Sequence, residues 1–285
     1  MQGKVCLVTG STSGIGKATA EGLAKLGATV LITGRAGSSL STDRDEIASS
    51  TSNGEIYAFE CDLASMSDVR KLAAQVKEQF SVLDVLINNA GSFQSKKVLT
   101  VDGFEMQFAV NHLSHFLLTN LLLPELRAAA QGRIIHISSG FHYRGKMHFD
   151  NLNLERYDGL VAYAQSKLAN VLFSAELARR LNDTNITSNS LHPGRIGTNM
   201  GDKYASGFYG WIWNLVKPFL NTPEKGAQTS IYLASSPDVT KISGSYFAYS
   251  KQKEPSRASK DLEAARQLWE VSTEMTGMDS QQSTE

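Results

Sequence analysis

Tyr163 and Lys167 stand four residues apart in Tyr163-Ala164-Gln165-Ser166-Lys167, within a stretch of helical apolar periodicity. Residues i and i+4 of a helix share a face, so a phenol and an ammonium there can point into one cleft. A free phenol titrates near pH 10 and moves protons poorly at neutrality. A cation within about 4–6 Å favours the phenolate and brings that acidity down. The pair could therefore give a proton to a substrate oxygen or take one from it. Such a pair also arises by chance on helices, so its neighbours decide its weight.

A second stretch with chemical potential opens the chain. Thr9-Gly10-Ser11-Thr12-Ser13-Gly14-Ile15-Gly16 follows the apolar run Val5 to Val8 and precedes a helical period through Ile15, Ala18, Leu23 and Leu26, with Gly27 as stop. Strand, glycine-rich turn and helix together aim backbone N–H groups and a helix dipole at a phosphate. Gly10 permits the tight turn, Gly14 lets the backbone approach a pyrophosphate, and Gly16 allows close packing of helix on strand. An ordinary tight connection uses the same residue types. After the second strand, a protein using NAD would place an acid on the ribose hydroxyls, and here that position is Gly34, followed by Arg35. A guanidinium can pair with a ribose 2′-phosphate, so NADP(H) is expected over NAD(H). A solvated loop arginine is the other reading of Arg35.

Further motifs follow in order: Asp62-Leu63 after the third strand, Asn88-Asn89-Ala90-Gly91 closing the fourth, Asn111 on a long helix, Ser138-Ser139 ending the fifth strand, and His192-Pro193-Gly194-Arg195-Ile196-Gly197-Thr198 after the sixth. With Tyr163 and Lys167, this series resembles the short-chain dehydrogenase/reductase family along nearly the whole chain. The resemblance implies a catalytic set of Asn111, Ser139, Tyr163 and Lys167. Tyr163 would be the proton donor or acceptor, Ser139 would hydrogen-bond the substrate oxygen, and Asn111 would anchor a proton-relay water. Lys167 would also hold the nicotinamide ribose. It further implies a cofactor cradle of Gly10, Ser11, Thr12, Ser13, Gly14, Ile15, Gly16 and Arg35. Asp62 and Leu63 would meet the adenine, Asn89, Ala90 and Gly91 would line the cofactor, and Pro193, Gly194 and Thr198 would contact the nicotinamide amide. Asp62 could instead cap the following helix. The segment from His142 to Leu152, the run Ser166 to Phe173 and Leu268-Trp269 resemble the retinol-dehydrogenase-like branch, which acts on retinoids, other lipophilic carbonyls and steroids.

The elements that must position these residues alternate strand and helix to the end, which argues for a parallel sheet covered on both faces. The expected architecture is an α/β, single Rossmann-like doubly wound domain over 1–276, with a seven-stranded parallel sheet and helices on both faces. Residues 277–285 read as a flexible tail. Strands are expected at Val5–Val8, Ala28–Thr33, Glu55–Phe59, Leu83–Asn88, Arg133–Ile137, Ile186–Leu191 and Ser245–Tyr249. Gly37 to Asn53 is Ser-rich, with only Asp43 to Ala48 helix-like, so a short or mobile helix is expected there. Ser65 and Thr222 are expected to cap helices, with Pro223 at a first helical position. A substrate lid is expected at about 199–222, carrying Tyr204, Phe208, Tyr209, Trp211, Trp213 and Phe219. Those aromatics suit a lipophilic carbonyl or alcohol substrate, a helix packing on the core, or peripheral contact with a membrane.

Composition narrows the class. With 28 basic and 28 acidic residues in 285, formal net charge is zero and no electrostatic argument favours nucleic acid. Apolar residues make up 41%, enough for a substantial core. The two cysteines, Cys6 and Cys61, read as buried reduced thiols rather than a disulfide framework. No apolar run approaches the roughly 20 residues needed to span a bilayer, and no signal peptide precedes the first strand, so a soluble, cytoplasmic protein of a reducing compartment is expected. A homodimer is compatible with this reading. His136, His142 and His148 do not converge on a metal site, and Ser139 lacks a nucleophile elbow. The rival from another class is a catalytically idle dinucleotide-binding regulator or scaffold, against which the intact set of four residues argues.

Overall fold

The structure is a computed structural model, which describes residues 1–37, 39–194 and 222–278. Four strands are buried along almost their whole length: β1 (Val5–Val8), β2 (Thr29–Gly34), β4 (Val85–Asn88) and β5 (Gly132–Ile137). Such continuous apolar strands belong in a sheet covered on both faces. With β3 (Ile56–Glu60), β6 (Ile186–His192), β7 (Tyr246–Ala248) and β8 (Lys251–Lys253) they form an eight-stranded sheet in the order β3-β2-β1-β4-β5-β6-β7-β8. Strands β1 to β7 pair in parallel; for example, Leu7 sits between Leu31 of β2 and Leu86 of β4.

Alternation along β1 sends side chains to two cores. Leu7 joins the face covered by α3 (Met66–Gln79), α5 (Ser114–Leu121), α7 (Gly159–Arg180) and α9 (Leu262–Thr276). Cys6 and Val8 join the face covered by α1 (Gly14–Lys25), α2 (Leu40–Thr51) and α8 (Pro223–Ser235). The sheet grows from β1 outward through β2 and β3, then returns to lay β4 on the other side of β1. That reversal opens a crevice at the carboxyl ends of β1 and β4, where ligands of such sheets bind.

The strand count departs from the seven expected. β8 adds an antiparallel edge strand, with Ala248 paired to Lys251 across the two-residue turn Tyr249-Ser250. Both turn residues have positive φ, 54° and 56°, as a type I′ hairpin requires. Nothing in Tyr-Ser advertises that turn, which is normally built from Asn-Gly or Asp-Gly. The Ser-rich segment also differs: α2 is a helix of 12 residues. Its buried Asp43 carboxylate receives hydrogen bonds from Lys17 Nζ at 2.8 Å and Ser39 Oγ at 2.6 Å, while Leu40 and Ile47 pack into the core.

The long helix expected around Asn111 is broken into α4 (Met106–Phe108), a π-helical turn (Ala109–Leu113), α5, and α6 (Leu123–Ala128). Ser65 and Thr222 cap their helices as expected, accepting from Asp68 N and Lys225 N. Met278, assigned to the tail by sequence, is buried in the α9-side core. The lid at 199–221 and residues 279–285 lie outside the described residues.

Candidate active site

The turn after β1 is fixed by backbone-level contacts. Gly10 and Gly14 have φ of 63° and 56°, the left-handed region that side chains disfavour. A Cβ on Gly10 would stand 2.9 Å from Ala90, and one on Gly16 would run into the Gly10 carbonyl oxygen. Ser11 is buried, with Oγ donating to Val8 O at 2.8 Å and accepting from Thr33 N at 2.9 Å. Gly10 N donates to Thr33 Oγ1 at 3.1 Å. Thr12, Gly14 and Ile15 are half-buried and Ser13 is exposed. The first turn of α1 carries no acidic side chain, and Ser13 makes no side-chain cap hydrogen bond. Backbone N–H groups at a helix start of this kind suit a phosphate. Arg35 is exposed immediately beyond β2.

The turn after β4 is tied to the first. Thr9 Oγ1 accepts from Asn89 N at 2.9 Å and Ala90 N at 3.0 Å, and Asn89 Nδ2 donates to Thr9 O at 2.8 Å. Gly91 lies over the next group: a Cβ there would stand 3.4 Å from both Asn111 Oδ1 and Lys167 Nζ. At the end of β3, Asp62 accepts from Ala64 N at 3.0 Å as a local turn, Ser65 takes the cap, and Leu63 is buried.

Asn111, Ser139, Tyr163 and Lys167 come together on the other wall. Asn111 occupies the π-helical turn, a feature that recurs at functional sites. Its Nδ2 donates to Ser92 O at 3.1 Å and Ser166 Oγ at 2.9 Å, while its Oδ1 accepts from Ser92 N at 2.7 Å. Lys167 is buried, donates to Ile137 O at 3.2 Å, and has Nζ 5.6 Å from the centre of the Tyr163 ring. Ser138 Oγ donates to Lys167 O at 2.7 Å, so β5 and α7 are pinned beside the pair. The Ser139 hydroxyl accepts from Phe141 N at 3.3 Å and is close enough to the Tyr163 phenol to ease its acidity.

The acidities differ from the expectation in one respect. Burial raises the Tyr163 phenol above its ordinary value, and the Ser139 hydrogen bond works against that rise. The phenol is raised even with Lys167 beside the ring. The Lys167 ammonium is itself lowered by burial to about 8. The two acidities are therefore set by depth, with Ser139 as the group that eases the tyrosine.

Several residues that shape the site were given no individual role by the sequence. Phe93 and Phe141 meet the Tyr163 ring edge-on, with centroids 5.9 Å and 5.6 Å away. Ser92 and Ser166 hold Asn111. His192 Nδ1 accepts from Gly140 N at 3.2 Å and so steadies the loop after Ser139. Phe93, two residues past Gly91, and Ser166, one residue before Lys167, were findable by adjacency alone. Pro193 is half-buried, and Gly194 is buried with φ of 96°. Thr198 lies outside the described residues. Among the described residues, no group of three or more His, Cys, Asp or Glu side chains could hold a metal ion. Both cysteines are free and buried, and burial pushes both thiols up, Cys61 to about 12. No helix of the described residues is long and apolar enough to cross a membrane.

Comparison with known proteins matches this geometry. Residues 4–207 match the short chain dehydrogenase family. Retinol dehydrogenase 14 of Homo sapiens is 45% identical over 294 residues, spanning 98% of this chain and 88% of the relative. A crystal structure of a Mycobacterium Paratuberculosis protein superposes with TM-score 0.77 at 35% identity, covering 97% of this chain and 94% of that one. L-sorbose reductase from Gluconobacter frateurii, complexed with NADPH and L-sorbose, superposes with TM-score 0.72 at 26% identity, covering 87% of this chain and 95% of that one. The chain belongs to the short chain dehydrogenase family, in its retinol-dehydrogenase-like branch, and is an oxidoreductase working between alcohols and carbonyls.

Proposed function

We propose that this chain is an NADP(H)-dependent oxidoreductase that interconverts lipophilic aldehydes or ketones and their alcohols, with Tyr163 as general acid and base. It would act as one domain over 1–276, with a substrate lid at about 199–222, in a cytoplasmic, reducing setting that its two free thiols suit. The observation that carries the reading is Lys167 buried with Nζ 5.6 Å from the centre of the Tyr163 ring, with Ser139 beside the same phenol.

The residues of the wall divide the work. In the direction of reduction, Tyr163 gives its proton to the carbonyl oxygen while Ser139 donates a hydrogen bond to that oxygen. In oxidation the same phenol, as phenolate, takes the alcohol proton. Lys167, with its acidity near 8, is mostly an ammonium at pH 7 and stabilises the phenolate left after proton transfer. Asn111 holds the local scaffold through Ser92 and Ser166, and supports resupply of the proton from solvent. A nicotinamide dinucleotide, when bound, supplies or accepts the hydride. Gly10, Gly14 and Gly16, with Ser11, Thr12, Ser13 and Ile15, would hold its phosphates. Asp62, Leu63, Asn89, Ala90, Gly91, Pro193, Gly194 and Thr198 would line the rest. Positioned proton transfer of this kind is worth about 10²–10⁴-fold in rate.

Two features support the finer assignments. Gly34 stands where an acid would select NAD, and Arg35 follows it, which favours a 2′-phosphate. Phe93 and Phe141 give the catalytic tyrosine apolar walls, and the aromatic-rich segment at 199–222 adds to them in sequence. Substrates of retinoid type belong in the same class, since the relatives are named retinol dehydrogenases. The test is a panel of short and long aldehydes, ketones and retinaldehyde with NADPH or NADH, following nicotinamide absorbance. Turnover that rises with apolar bulk and prefers NADPH is expected. No turnover across the panel, or equal use of both cofactors, would defeat the proposal.

A further inference from the structure

Beneath the catalytic wall lies a buried histidine that touches both halves of the site. His115 is the second residue of α5, fully buried, with Nδ1 3.0 Å from the Asn111 carbonyl oxygen and Nε2 3.3 Å from Thr9 Oγ1. Thr9 opens the glycine turn, and Asn111 belongs to the wall with Ser166 and Lys167. The two residues are far apart in sequence, and one imidazole spans them.

The direction of each hydrogen bond follows from what its partners can do. A carbonyl oxygen only accepts, so Nδ1 carries the proton and donates to Asn111 O. Burial and the nearby Lys167 charge hold His115 well below the ordinary imidazole value, so the ring is neutral and Nε2 is an acceptor. Thr9 Oγ1 is then the donor to Nε2 at 3.3 Å, sharing its one proton with the Ile87 carbonyl at 3.4 Å. The same oxygen accepts from Asn89 N and Ala90 N. One directed chain thus runs from the β4 turn through Thr9 and His115 to Asn111, and on to Ser92 and Ser166.

The backbone explains why a side chain is useful there. Ser114 N donates to Ala109 O, the five-residue step that makes the turn π-helical. That step breaks the ordinary i to i+4 ladder across Asn111, and a broken ladder needs other donors to hold its carbonyls in place. The His115 ring supplies one.

We propose that His115 is a positioning residue that couples the dinucleotide turn to the catalytic wall, by fixing the Asn111 carbonyl from one ring nitrogen and the Thr9 hydroxyl from the other. This rests on the turn and wall having the roles given above. It assigns His115 no contact with substrate or cofactor. Its effect is transmitted through Thr9 to the turn and through Asn111 to Ser166 and the Tyr163–Lys167 face.

Two substitutions separate the links, because the amide of asparagine reaches about where Nδ1 lies and that of glutamine about where Nε2 lies. His115→Asn keeps a donor for Asn111 and loses the Thr9 link, so the NADPH dissociation constant should rise about 10-fold with kcat within about 3-fold of the parent. His115→Gln keeps the Thr9 link and loses the Asn111 donor, so kcat should fall about 10-fold with NADPH affinity nearly unchanged. Affinity is read by quenching of intrinsic fluorescence, separately from turnover. Parallel losses of affinity, kcat and melting temperature in both variants would overturn the inference and leave His115 as packing. Unchanged values in both would overturn it too. Nitrogen-15 NMR of the histidine rings reads the tautomer directly: a proton on Nδ1 and a bare, hydrogen-bonded Nε2 are expected at His115. A proton on Nε2 overturns the coupling chain whatever the activity. If the unmutated protein bound no NADPH, the functional proposal would fall, and the tautomer would still decide the hydrogen-bond chain.

Discussion

The turn at Thr9–Gly16 follows β1 and the wall of Ser139, Tyr163 and Lys167 is built at the end of β5 and on α7, with β4 between them, yet they are made from different materials. The turn is built by leaving atoms out. Its glycines adopt positive φ or sit where a Cβ would meet backbone, and its hydrogen bonds run mainly to main-chain groups. The wall is built by placing side-chain atoms, with Lys167 Nζ on Ile137 O, Ser138 Oγ on Lys167 O and Asn111 Nδ2 on Ser166 Oγ. The turn should therefore fail when volume is added. The wall should fail when a functional atom is removed at constant volume.

The largest effect should come from the wall. Lys167→Met keeps the buried stem and removes the charge, so kcat should fall about 10²–10⁴-fold, with weaker NADPH binding and a melting temperature held or raised. In the unmutated protein the ammonium is lost as pH rises through about 8, so the reduction rate should decline above that pH. A profile flat to pH 10 would remove Lys167 from the proton chemistry.

Next comes the turn. Gly16→Ala forces a methyl into the Gly10 carbonyl and the Asn89 amide, and overpacking against backbone should cost about 3 kcal/mol. Thermal melts and NADPH titration should both show the damage. If the Gly16→Ala protein melted and bound like its parent, the turn would be looser than its contacts imply.

Acid should strain the wall side more than the turn. His112 and His136 are fully buried beside Phe173, and burial lowers both to about 3. Their unfolded values lie near 6.5, so between those limits the unfolded chain binds more protons than the folded one. Stability is then present above about pH 6.5 and is lost as pH falls, by more than about 1 kcal/mol per pH unit for each fully shifted group. Denaturant melts from pH 7 to 4.5 should show the slope, and His136→Gln should reduce it. An unchanged slope in that variant would contradict the assignment.

The smallest effect belongs to the exposed edge of the turn. Arg35→Ala should weaken NADPH about 10-fold, the order of a charge-assisted hydrogen bond, and leave NADH alone. Equal loss for both cofactors would place Arg35 elsewhere in the binding.

Much of this contrast was legible in the sequence, for physical reasons. Glycines that avoid a clash leave a fixed spacing, and Tyr163 and Lys167 share a helical face by periodicity. The central strands are buried on both sides and so read as continuous apolar runs. What escaped depends on contacts distant in sequence. α2 is held by Asp43 against Lys17, where local composition suggested only a short or mobile helix. The π-helical turn at Asn111 lies inside an unbroken apolar period. β8 hangs on positive φ at Tyr249 and Ser250, which those residue types do not announce. The Tyr163 acidity depends on how deeply the ring is buried, and spacing alone pointed to the opposite shift. The histidine cluster follows the same pattern: His136, His142 and His148 caught the eye by spacing, while the fold gathers His112, His115 and His136.

The most direct measurement is Tyr163→Phe, read by NADPH titration and by turnover on the preferred aldehyde. The ring, its edge-on contacts with Phe93 and Phe141, and its place over Lys167 all remain, and only the hydroxyl is lost. The expected result is NADPH affinity within about 2-fold of the parent and kcat reduced about 10²–10⁴-fold. Retention of most of the turnover would contradict Tyr163 as the acid and base of this site.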